Sequence, residues 1–211
     1  MKRILVVLSM MVMLVACSAQ IAGAEKVKWQ APDFKFGAVT AVEVESINMH
    51  QPTYDNFVTE NGAESKVEIA LMEAFAKEKV QFTAPIEGET VSSTTVDPSK
   101  ALKIIVNVYA LGSQWEWQEP YTETRHVTRQ TSVVDDKGHV TKVSIPDTET
   151  VNHPRKKIYT ARAEIEFVVK TADGSRVVYT INDSRDNYDT TDTSGMLKRI
   201  THEFAEAITE D

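Results

Sequence analysis

The chain has 211 residues, with 23 lysines and arginines against 31 aspartates and glutamates, a formal net charge of −8. That acidic balance argues against a general binder of nucleic acid or of anionic membrane. A single cysteine, Cys17, excludes both a disulfide framework and a cysteine metal centre in the folded part.

The chain opens on Met1-Lys2-Arg3 and runs from Ile4 to Ala16 without a charge, with only Ser9 polar. A basic start before an apolar run shorter than the ~20 residues of a membrane span reads as an export signal. The run ends in Leu14-Val15-Ala16-Cys17, the form of a bacterial lipobox. On that reading Cys17 becomes the lipidated N-terminus, and the protein faces the periplasm on a lipid anchor. The alternative is Ala22-Gly23-Ala24, an ordinary A-x-A cleavage site, which leaves a soluble periplasmic or secreted protein starting at Glu25. Residues 1–24 are thus a signal peptide, cut before Cys17 or after Ala24.

Residues 25–37 are polar with spaced aromatics (Trp29, Phe34, Phe36) and suit a lead-in segment. A single domain is expected over 38–211. Residues 38–47 alternate, with Val42 and Val44 against Glu43 and Glu45, and predict a strand buried on one side. A loop follows over 48–62. Val67, Leu71, Ala74 and Phe75 fall at helical spacing and predict a helix over 64–78, capped by Asn61 or Ser65. Residues 82–98 read as loop or weak strand.

Residues 100–111 (KALKIIVNVYAL) are the most apolar strand. Leu102, Ile104, Val106, Val108 and Ala110 share one face. Unbroken alternation carries Tyr109, Leu111, Trp115 and Trp117 to the other. Residues 122–151 are polar and threonine-rich around Asp135-Asp136-Lys137-Gly138, the pattern of an exposed β-hairpin arm. Between Arg125 and Lys157 the bases outnumber the acids, the reverse of the chain as a whole.

Tyr159, Ala161, Ala163, Ile165, Phe167 and Val169 alternate with polar residues, as do Val177, Tyr179 and Ile181 after Asp173-Gly174. Opposed residues of an antiparallel pair share a face, so a three-residue loop over 172–174 is expected, with Gly174 at positive φ and Phe167 opposite Tyr179. Leu197, Ile200, Phe204 and Ile208 predict a closing helix over 194–209, capped by Asp192 or Thr193. The sum is an α+β fold, with two helices on one face of a mainly antiparallel sheet as a two-layer sandwich, and a projecting hairpin arm.

No constellation for catalysis emerges: neither G-x-S-x-G nor a glycine-rich phosphate loop is present. Glu116 and Glu119 flank the tryptophans but are unspecific as a glycosidase pair. Asp183, Asp186, Asp189 and Asp192 lack the glycine turn of a calcium loop. The histidines (His50, His126, His139, His153, His202) have no metal spacing. No enzyme activity, cofactor or metal is assigned. Trp115-Glu116-Trp117 is the best binding candidate, a platform for sugar or protein if exposed, although tryptophan is more often buried. Arg125 and Arg129, with Arg155, Lys156 and Lys157, offer a basic patch for an acidic partner.

The lipobox, the AVTAVEV strand, the amphipathic helix, the KIIVNVYAL strand, the Asp-Gly hairpin and the terminal helix, in that order, resemble a group of bacterial envelope proteins. The group includes the curli-secretion lipoprotein family and the amino-terminal domain of the Tol-system protein TolB. The resemblance implies a non-enzymatic α+β domain for assembly or partner binding in the envelope. The expectation is an exported, lipid-anchored interaction module that meets an envelope protein partner and touches membrane through its anchor only. The alternative is a soluble carbohydrate- or peptide-binding protein using Trp115 and Trp117.

Overall fold

Residues 25–84 and 97–209 are described in the computed structural model; Cys17 and the rest of the leader lie outside them. The strands are β1 (Glu25–Gln30), β2 (Ala41–Met49), β3 (Phe57–Thr59), β4 (Gln81–Thr83), β5 (Ala101–Gln118), β6 (Tyr121–Val134), β7 (Val140–His153), β8 (Lys156–Thr171) and β9 (Val177–Tyr188). The helices are α1 (Ala63–Lys77) and α2 (Ser194–Thr209).

The alternation of β5 and β8 places them at the centre of the main sheet, which runs β1-β9-β8-β5-β2-β4. Strand β3 pairs with β5 beyond the end of β2. The fold is α+β, as expected. The sheet is mixed: β1–β9, β8–β9, β5–β8 and β3–β5 run antiparallel, β2–β5 and β2–β4 parallel. Helix α1 is the crossover between β2 and β4 that parallel neighbours require.

Both helical stripes join one core cluster with a single face of the sheet. Phe204 of α2 stacks on Phe167 of β8, with centroids 4.0 Å apart and planes 5° from parallel. Phe75 of α1 meets the same Phe204 edge-on at 6.0 Å. Among the described residues the opposite face carries no helix and is polar: Glu166 accepts from Asn107 and Tyr109 (2.8 and 3.1 Å), and Lys170 binds Glu45 (2.6 Å).

Several local expectations change. The segment 25–37, read as a lead-in, contains edge strand β1, and the loop 48–62 contains β3. Neither Asn61 nor Ser65 caps α1; Gly62 does, in the left-handed region (φ 67°) and without a side-chain bond. At α2 the expected Asp192 does accept from the Ser194 amide (2.9 Å), which holds its carboxyl below the usual range.

The β8–β9 turn has Gly174 at φ 72°, as expected, but Phe167 lies opposite Ile181, and Tyr179 opposite Val169. A register shift after Val169 lengthens the loop to Ala172–Arg176. It also turns Val178 inward while Val177 faces out. The parity argument holds; the loop length does not. Asp173 pins this turn by accepting from Thr171 Oγ1 (2.5 Å) and from the Ser175 amide and hydroxyl, which pulls its carboxyl down to about 2.

Candidate functional site

A bulge decides the surface chemistry. The β5–β8 register shifts between Val108 and Ala110, so Val108 faces Ile165 and Leu111 faces Ala163, both on the core side. From Leu111 onward the odd positions of β5 point to the helix-bearing face. Trp115 and Trp117 therefore lie on that face and not on the opposite one, a correction to the unbroken alternation. The sheet has outrun the helices there: Trp115 is half-buried and Trp117 is 46% exposed, against the expectation of burial.

Register supplies their neighbours. Trp115 faces Tyr159 and Trp117 faces Lys157 across the ladder. The Lys157 ammonium sits 3.8 Å from the Trp115 ring centroid and 5.5 Å from that of Trp117. The Arg155 guanidinium lies 4.5 Å from the Trp117 centroid and pairs with Glu119 at 3.2 Å. The indoles meet edge-on, 5.9 Å apart at 81°. Each cation–π contact at such a site contributes about 0.5–1 kcal/mol.

The ribbon continues into the arm without losing register: Gln118 faces Lys156 and, beyond the gap, Tyr121 faces His153. Pro120 and Pro154 lie opposite one another in that gap, and neither has the N–H that a ladder pair needs. Past the break, Tyr121 and His153 stack 4.4 Å apart at 12°, and His153 Nε2 is 2.9 Å from Glu123. Arg125 donates to the same Glu123 carboxylate (3.1 Å). Arg125 first, then His153, holds that carboxyl below its ordinary range. Arg129 pairs with Asp147 at 2.7 Å.

Of the candidates named from sequence, Trp115 and Trp117 converge with Lys157 and Arg155, whereas Arg125 and Arg129 stand farther out on the arm. Three of the arginines of the basic patch are each matched to a carboxylate, so the patch is a charge-paired surface. Glu116 lies on β5 opposite Ile158, and Glu119, just past the end of β5, pairs with Arg155. The aspartate series disperses too: Asp183 is 2% exposed and clamped by Arg185 through two 2.7 Å bonds, and Asp186 binds Arg162 (2.8 Å). Among the described residues no three His, Cys, Asp or Glu side chains are placed to hold a metal. A polar cleft of about 510 Å³ beside the start of α2 mixes Arg185 and Arg199 with Asp186 and Asp192.

Sequence reasoning missed two groupings. One is the capping of the indoles by Lys157 and Arg155, visible only once the register is known. The other is the network of Lys26, Asp183, Arg185 and Glu203 that ties β1 to α2; Lys26 reaches Glu203 at 2.9 Å and Arg185 reaches it at 2.8 Å. Its one sequence cue was Asp183 and Arg185 at i and i+2 on a strand.

No protein-family model matches the chain, and no curated protein matches it in sequence. Among solved structures, the PelC dodecamer from Paraburkholderia phytofirmans is similar over 90% of this chain and 99% of its own, with 9% identity and a TM-score of 0.47. A PDZ domain protein from Parabacteroides distasonis is similar over 90% of this chain and 38% of its own (10% identity, TM-score 0.34). A neuraminyllactose-binding hemagglutinin homolog from Helicobacter pylori covers 82% of this chain and 84% of its own (10% identity, TM-score 0.36). Likeness at these values carries neither family nor function.

Proposed function

We propose that this chain is an exported, lipid-anchored envelope protein without catalytic activity, whose two-layer α+β body holds out the stem and arm to a protein partner. The anchor is Cys17, and the contact surface runs from Trp115 and Trp117 outward to Arg125 and Arg129. One observation carries the reading: Trp117 stays 46% exposed under Arg155 at the root of a hairpin that, among the described residues, pairs with no other strand. Large aromatics beside arginine are the usual anchors of protein interfaces. An isolated two-stranded ribbon is marginal in water and gains from being covered.

The alternative, a free carbohydrate-binding protein, draws less support. Sugar platforms use an open ring face, and these indoles are perpendicular, with cations over them.

The test is site-specific photo-crosslinking in the native host. A crosslinker at position 117 or 125 is expected to give one discrete protein adduct. The same group at Ile69, exposed on α1, gives none. Equal labelling from all three sites refutes the interface. Intact mass of the purified protein tests the anchor separately, as an acylated chain beginning at Cys17.

A further inference from the structure

The hairpin arm has two outer edges, and they are not alike. At its tip the Asp135 amide donates to the His139 carbonyl (3.0 Å), so these two residues form a hydrogen-bonded pair. From Val134 and Val140 the register runs back to Tyr121 and His153 without a shift. Bonded pairs alternate along an antiparallel ladder, so within the arm the odd-numbered residues bond across the hairpin. The amides and carbonyls of the even-numbered residues point outward on both strands. On β7 that outward row contains Pro146, opposite Thr128, which has no N–H to offer a further strand. Lys142 stands in the same row, and proline and lysine are the usual guards of a strand edge. On β6 the row runs from Thr122 to Val134 with every even residue exposed, and the strand contains no proline, glycine or lysine. Among the described residues no strand pairs with this edge.

We propose that the outer edge of β6 pairs antiparallel with β6 of a second copy of this chain, joining two arms into one sheet. Edge and charge together choose this occupant. A head-to-tail contact would set β6 against β7 of the next copy, the edge that Pro146 interrupts. A two-fold contact uses the open edge twice. Outward residues have to oppose outward residues, so the axis passes through one residue of β6. An axis at Arg125 opposes the two copies of Arg125, and an axis at Val127 opposes Arg125 to Arg129; like charges so placed destabilise a ladder. An axis at Thr124 draws Pro120 into the outward row, and one at Thr128 opposes no charges. An axis at His126 sets Glu123 opposite the partner's Arg129, and by symmetry does so twice. Thr124 then faces the partner's Thr128, and Arg125 the partner's Val127. The contact goes beyond the partner reading above, because it uses the edge of the arm and leaves Trp115 and Trp117 outside it. It also supplies what a two-stranded ribbon lacks, since three or more strands are needed for independent stability.

The test places one cysteine at a time in the full-length chain, with the parent as the control for Cys17. Across the axis the two Cα atoms of residue 126 stand about 5.5 Å apart, the spacing of a bonded pair and within reach of a disulfide. His126→Cys is expected to give a covalent dimer on oxidation that reductant reverses. Thr124→Cys and Thr128→Cys give none alone, but a mixture of the two gives the dimer, because they oppose each other only across copies. Equal dimers from all three variants report collision and overturn the pairing. No dimer from His126→Cys and none from the mixture overturn it as well. Charge reversal reads the same contact without cysteine, by sedimentation equilibrium. Glu123→Arg is expected to raise the dimer dissociation constant on the order of tenfold, since two attractive pairs become repulsive. Adding Arg129→Glu restores it; a double variant as weak as the single one overturns the register and the proposal with it. An adduct with a different protein at position 117, without a disulfide at position 126, removes the second copy and leaves the proposed partner standing.

Discussion

The body and the arm are built from strands of similar length and held together by different physics. In the body, β5 and β8 bury every second side chain against two helices, so a slip of one residue would expose the whole apolar face. In the arm, β6 and β7 bury almost nothing, and their register descends from the body through the stem. Cross-strand pairs such as Tyr121 with His153 maintain it, and the turn at Asp135–His139 closes it. There the Asp135 carboxylate accepts from the Lys137 and His139 amides (2.9 and 2.8 Å). Pro120 and Pro154 mark the boundary, because the ladder has no donors at that point. Shape in the body is set by what is excluded from water, and in the arm by pairings that water can contest.

The contrast breaks most visibly at Phe167, fully buried against Phe204. Phe167→Ala is expected to cost about 3–5 kcal/mol, since it removes transfer energy and leaves a cavity between β8 and α2. Urea unfolding followed by far-UV circular dichroism reads this. A loss under 1 kcal/mol would show that the helix and sheet are not packed as described.

A smaller effect belongs to the network that ties β1 to α2. Lys26 first, then Arg185, holds the Glu203 carboxyl below its ordinary value. A depressed carboxyl contributes stability that is present above its unfolded pKa, near 4.3, and is lost as pH falls through the folded value. Glu203→Gln is therefore expected to lower the urea midpoint near neutral pH and to converge with the parent in acid. Partial exposure of Glu203 limits the difference to about 1 kcal/mol or less. Parallel curves at all pH would remove the network from the stability of the body.

How far the sequence could be read follows the same division. The stripe of Leu197, Ile200, Phe204 and Ile208 gives α2 residue for residue, and the alternation of Leu102 to Val108 gives the first two thirds of β5 but not its run to Gln118, because burial imposes a period only where the helices cover the sheet. The bulge after Val108 stayed hidden, since one inserted residue changes no composition; its trace is the adjacent buried pair Ala110 and Leu111. That omission moved the tryptophans to the wrong face. Strand β1 was missed because Lys26, Lys28 and Gln30 look solvent-bound, while Lys26 in fact meets acids supplied by β9 and α2. The indole–cation cluster is half legible: all four residues stand out in the sequence, but only register joins Lys157 and Arg155 to the rings.

The smallest effect lies on the arm. The 2.7 Å pair of Arg129 and Asp147 is exposed on both sides, and pairs of that kind contribute about 0–1 kcal/mol. Arg129→Ala is expected to leave the global unfolding midpoint unmoved. It should speed amide exchange in the neighbouring arm residues, an effect that fades at high salt as the charges are screened. Exchanging the two residues, Arg129→Asp with Asp147→Arg, restores the protection because it preserves the attraction. It also reverses the charge order that a partner would meet. If the exchanged arm is protected yet no longer forms the crosslinked adduct, the arm is recognised by its charge order. If the adduct persists, the tryptophan stem carries the recognition and the arm contributes reach.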